Sequence, residues 1–202
     1  MKEFIATAFP NLGYIQSEFT AEDLAPVKEE IFEIEDIKRA FLNPTERIVK
    51  QEYILEKSKM HVQKLMMPYV AAYFNTFGYD EDTEFLTRNA PLVLDKLKFN
   101  FLDKHEAQIP HAHGGIFTFL ICVDIGLPCP PSPLTGDTSQ PSKFYLHYSN
   151  SIGRHKMFMI PFDRDWENNF ILFPSDMQHS VEPCFAMQYY RTSVAGTFRF
   201  EV

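Results

Sequence analysis

Three of the seven histidines in this 202-residue chain stand where imidazoles could do chemistry. Residues 110–115 read Pro-His-Ala-His-Gly-Gly, which places His111 and His113 at i and i+2. On an extended segment these side chains share a face and could close on one metal ion. His179 comes five residues after Pro174, where a turn ends the apolar run Phe170–Phe173. Arg191 follows twelve residues later and opens an alternating stretch. Arg191, Ser193, Ala195, Thr197 and Arg199 point one way; Thr192, Val194, Phe198, Phe200 and Val202 point the other. Arg191 and Ser193 therefore share a face and suit a two-pronged clamp on a carboxylate. An inward-facing guanidinium also needs an anion to meet it. Each reading has a plainer counterpart: satisfied structural histidines, and a structural salt bridge at Arg191. His61, His105, His147 and His155 are read as structural.

The elements that must position these residues follow from periodicity. Leu97, Phe99 and Phe101 alternate with Lys96, Lys98 and Asn100, and Phe117, Phe119, Ile121, Val123 and Ile125 line one face of a second strand. Further strands are predicted over 108–113, 143–148, 156–161, 169–173 and 188–202. Residues 126–142 hold five prolines and no apolar pattern, which predicts a loop within one fold. Upstream, Leu24, Val27, Ile31 and Ile34 fall at helical spacing from about Asp23, with Glu29, Glu30, Glu33 and Glu35 as a solvated face. A second helix is predicted from Ser58 to Phe77, ending at Gly78 and carrying Met60, Leu65, Met66, Tyr69, Val70, Tyr73 and Phe74. Residues 1–19 read as an edge strand with a turn at 11–13, and 47–56 as extended. Short strands after two helices make the class α+β, mainly β, with the helices on one side of a sandwich or barrel.

Composition narrows the function. A 45% hydrophobic chain with 20 phenylalanines can bury a core as one domain. A net charge of −8 disfavours nucleic acid and anionic membranes as partners. No apolar run approaches 18 residues, and the start MKEFIATAFP lacks the apolar core of a signal peptide, so a cytoplasmic location is expected. Cys122, Cys129 and Cys184 form no CxxC pair, and their odd number argues against a disulfide framework.

His111, His113, His179 and Arg191, with the segment LFPSDMQHSVEP at 172–183, resemble the Fe(II)/2-oxoglutarate-dependent oxygenases. The likeness is to prolyl-hydroxylase-like members, uncharacterised phage and marine bacterial ones included, and covers about residues 92–202. It implies a double-stranded β-helix, or jelly roll, braced by N-terminal helices. One domain would span 1–202, with 1–90 as helical brace and edge strands and 91–202 as the core carrying the site. Iron would sit on His111, His113 and His179, with no catalytic side chain beyond these ligands. Arg191 would anchor 2-oxoglutarate with Ser193 assisting, and Arg199 is second choice for that role. Asn100 and Tyr145 are cosubstrate or substrate contacts by position alone. The implied reaction is hydroxylation of a small molecule or peptide with O₂, under a lid formed by 126–142.

This chain departs from the pattern at His113, where those enzymes carry Asp. Three imidazoles hold iron in some cupin-like dioxygenases that bind their organic substrate without 2-oxoglutarate. A His-x-Gly register at His113 would resemble halogenating members. A carboxylate from Asp103, Glu106 or Asp124 could complete the set instead. A non-catalytic jelly-roll module, binding or structural, is the remaining reading.

Overall fold

The alternating stretches become strands of two antiparallel sheets. The computed structural model describes residues 3–8, 13–43, 52–78, 90–102, 106–126, 142–150, 152–162, 166–183 and 191–201. Asp103, His105, Cys129, Cys184, Val202, the turn at 11–12, residues 47–51 and nearly all of the expected lid (127–141) lie outside them.

The larger sheet is built around β11 (Arg191–Phe200), which pairs with β4 (Leu92–Leu102) on one side and β6 (Phe117–Cys122) on the other. Beyond β6 come β9 (Asn169–Pro174), β2 (Gly13–Glu18) and β1 (Ile5–Ala8); beyond β4 comes β3 (Glu52–Ile54). The smaller sheet runs β5 (Gln108–His111), β10 (His179–Val181), β7 (Ser142–Ser149) and β8 (His155–Phe162). From β4 onward the chain passes back and forth between the sheets, which is the winding of a double-stranded β-helix.

Alternation decides which face is covered. Leu97, Phe99, Phe117, Phe119, Ile121 and Phe198 are all fully buried, on the outer face of the large sheet beneath the helices. The opposite faces enclose a smaller interior that includes Phe144, Leu146, Ile160, Ile171 and Phe173. One slip interrupts the alternation. β11 pairs Thr197 with Lys96 but Phe198 with Leu94, so Asp95 is an extra residue in β4.

The brace differs from expectation in four places. α1 (Ala21–Phe32) starts at Thr20 rather than near Asp23, because a capping box forms there: the Thr20 hydroxyl accepts from Asp23 N at 3.0 Å, and the Asp23 carboxylate accepts from Thr20 N at 2.8 Å. Pro26 thus sits in the second turn and forfeits one backbone bond. The predicted single helix also breaks at Ile34, which is extended, and resumes as α2 (Glu35–Leu42). Glu30 does not belong to a solvated face. Its carboxylate accepts from the backbone N–H groups of Glu56, Lys57 and Ser58 and from the Ser58 hydroxyl, at 2.6–2.9 Å, and so ties α1 to the start of α3 (Lys59–Phe77). α3 ends where predicted, at Gly78 with φ 60°. Its buried stripe begins at Val62, because Met60 is exposed. Tyr73 donates from that stripe to the Gly13 carbonyl at 2.8 Å, locking α3 to β2.

Candidate metal centre

β5 and β10 pair so that His111 lies directly opposite His179. Cross-strand partners project to one side of a sheet, which puts both imidazoles at the open end between the sheets. Their ring centroids are 4.3 Å apart, and the His113 ring lies 5.1 Å from His111 and 5.0 Å from His179. One ligating atom from each of the three lies within 4.8 Å of the others. Two ~2.1 Å bonds to one ion hold their nitrogens about 3–4 Å apart, so small side-chain rotations would close the set.

His113 reaches the cluster by a different route from the one expected. β5 ends at His111, so the two do not share a strand face. His113 lies in the connection to β6, where its N–H donates to the Ser175 carbonyl at 2.8 Å. Gly115 holds that connection against β11. It has φ +136°, and a Cβ there would lie 2.5 Å from Thr197 Cγ2 and 2.8 Å from the Phe198 carbonyl. The close approach is therefore to a strand, whereas Gly114 has open space around its Cβ position.

Two backbone carbonyls set the tautomers. His111 Nδ1 lies 2.8 Å from the Ile109 carbonyl and His179 Nδ1 lies 3.2 Å from that of Met177. A carbonyl only accepts, so each Nδ1 carries the proton and each Nε2 offers its lone pair. Burial, more than the neighbouring histidines, pushes His179 down to about 3. Phe144 stacks beside it at 5.6 Å and Phe173 lies edge-on at 5.1 Å. His113 is lowered too, first by burial and then by His111 and Lys98. Buried imidazoles held neutral are in the form that binds metal.

A pocket of about 220 Å³ opens over the three histidines. Of the residues expected to hold a cosubstrate, Asn100 lines it; Arg191, Ser193 and Tyr145 do not. Asn100 is buried, and its Oδ1 has no hydrogen-bond partner among the described residues. Arg191 and Ser193 lie on the same inward face of β11 as the pocket-lining Ala195, four and two residues further along, so Arg191 is about 13 Å away along the strand. Tyr145 is turned away: its neighbours Phe144 and Leu146 face inward, while its hydroxyl bonds Glu182 on the opposite face. Arg199, the second choice of anchor, lies at the exposed end of β11, where its Nε donates to Asp95 at 2.8 Å. Neither Glu106 nor Asp124 joins the cluster among the described residues; Asp124 accepts from Gly126 N at 2.7 Å instead. The expectation missed Glu52, Lys96 and Lys98, all pocket residues. The Lys-x-Lys-x-Asn alternation was visible, but nothing in it distinguishes a pocket wall from a solvated face.

No family model and no curated protein matches the sequence. Solved structures do match in fold. A Pseudomonas putida prolyl-4-hydroxylase superposes with a TM-score of 0.54 at 14% identity, over 94% of this chain and 93% of that one. The fold is that of the 2-oxoglutarate/Fe(II) oxygenases. The viral collagen prolyl hydroxylase of Paramecium bursaria Chlorella virus-1, solved with 2-oxoglutarate, gives 0.51 at 7% identity over 94% and 96%. The non-heme α-ketoglutarate-dependent epimerase SnoN from nogalamycin biosynthesis gives 0.53 at 13% over 96% and 80%. In the present chain this fold carries a three-histidine cluster able to hold a metal.

Proposed function

We propose that this protein is an Fe(II)- and 2-oxoglutarate-dependent oxygenase, acting as a hydroxylase. The observation that supports it is the convergence of His111, His113 and His179 at the pocket of this fold, with two Nε2 lone pairs preset by backbone carbonyls. The three imidazoles would hold the metal, and a three-ligand set leaves positions for other groups. Arg191 and Ser193 would anchor the distal carboxylate of 2-oxoglutarate from the inward face of β11, with Asn100 as a contact. When bound, iron and 2-oxoglutarate supply O₂ activation. The protein's share is to orient these groups and exclude water, and Phe144 and Phe173 wall off His179 for that purpose.

Replacing the usual carboxylate by His113 leaves the centre one negative charge poorer, which favours a second reading. In it, a three-histidine dioxygenase binds its organic substrate directly and ignores 2-oxoglutarate. Anaerobic Fe(II) titration with and without 2-oxoglutarate separates the two. The proposed oxygenase shows a metal-to-ligand charge-transfer band only with the cosubstrate present, and forms succinate on admitting O₂. Iron binding with no band and no succinate selects the second reading, and no iron binding refutes both.

A further inference from the structure

Apart from Asn100, one charged wall of the pocket has no part in holding iron or cosubstrate. Lys96, Lys98 and Asn100 are the alternate side chains that β4 turns inward, and the extra residue in β4 adds Asp95 at the mouth. Bulges re-aim side chains beside functional sites, and here two consecutive charged residues reach one rim. Three of the four charges on this wall are committed. Asp95 accepts from Arg199 at 2.8 Å, and Lys98 donates to Glu52, which β3 contributes, at 2.7 Å. Lys96 is exposed and meets no carboxylate among the described residues. With each pair internally compensated, one positive charge is left over at the mouth. Further in, Leu120, Phe144 and Phe173 present an apolar lining beside His179.

We propose that the substrate of this pocket carries a single anionic head, a carboxylate or a phosphate, on an apolar body, and that Lys96 selects it. This rests on the pocket being the substrate chamber of the oxygenase proposed above. The Lys98–Glu52 pair, half-exposed and weakly held in water, can open to add a second cation behind Lys96. The net charge of −8 repels a polyanion approaching from solution, but one head group in the mouth lies within a Debye length of Lys96. Docked there, the head directs the apolar body inward toward the three imidazoles.

Fluorine NMR titrations of the metal-free protein test this with 4-fluorobenzoate, 4-fluorophenyl phosphate and neutral 4-fluorobenzamide. Removing metal separates the outcome from iron and 2-oxoglutarate binding, so this inference and the oxygenase reading fail independently. One of the two anions should bind about tenfold or more tighter than the amide, and the tighter one identifies the head. Lys96→Met should lose about that factor, Lys96→Arg should restore it, and Lys64→Met, an exposed lysine of α3, should change nothing. Equal binding of anion and amide overturns the proposal, as does wild-type anion binding by Lys96→Met. Loss on Arg191→Met alone also overturns it, since the anion would then occupy the cosubstrate's place.

Discussion

At the scale of single residues, His113 is the decisive position. Its ring completes the cluster, but its backbone belongs to a connection rather than to β5. His113→Asp puts a shorter, charged oxygen ligand at the same place, and a hard carboxylate suits Fe(II) beside imidazole. Iron and 2-oxoglutarate binding should survive that change, whereas His113→Ala should lose most of the iron, as read by anaerobic titration. Wild-type iron affinity in both variants would make His113 a bystander. Arg191→Lys tests the anchor. It keeps the charge but loses the planar fork, so 2-oxoglutarate affinity should fall by roughly 1–3 kcal/mol, measurable from the charge-transfer band. Unchanged affinity would remove Arg191 from the site and favour the reading without 2-oxoglutarate.

At the scale of elements, the site depends on two strands meeting and one connection lying flat. β5 and β10 are only four and three residues long, yet their register alone brings His111 opposite His179. The connection after β5 is pressed against β11 through Gly115, where a methyl group would collide with Thr197 and the Phe198 backbone. Gly115→Ala should therefore displace His113, weakening iron binding and costing about 1–3 kcal/mol of stability by urea denaturation. Gly114→Ala, one residue earlier with open space around it, should leave both nearly unchanged. Equal effects of the two substitutions would mean that Gly115 is not the positioning contact.

At the scale of the whole molecule, α1 and the start of α3, the two helices that cover the sheet, are held together partly by one carboxylate. Burial raises Glu30, but the Ser58 hydroxyl and the N–H groups of Lys57, Ser58 and Glu56 outweigh it, so the net shift is downward. A carboxyl with a lowered folded pKa binds fewer protons folded than unfolded. Its contribution is therefore present above the ordinary carboxyl pKa of about 4.5 and is lost as pH falls through the lowered folded value. Glu30→Gln should lower stability at pH 7 by about 1–3 kcal/mol and flatten the loss of stability below pH 4.5, both read from urea midpoints against pH. A wild-type slope in that variant would place the acid sensitivity elsewhere.

The sequence by itself determined the strands and the faces they bury, because a period-2 apolar pattern in Leu97–Phe101, Phe117–Ile125 and Phe198 leaves one side to pack. It also marked the three histidines, through residue types that bind metal and through a segment resembling a known distal-histidine stretch. Where each functional side chain points was decided only in three dimensions. Tyr145 and Phe144 are adjacent in sequence, yet one faces solvent and the other the pocket, and that choice is made by pairing with β10. Arg199 and Arg191 share a parity in sequence, but they stand near opposite ends of β11, and Arg199 meets Asp95 at the exposed one. Lys96, Lys98 and Glu52 became pocket residues because β3 and β4 edge the sheet beside the three histidines. Their charged chemistry reads the same on an exposed face, and only tertiary packing distinguishes the two.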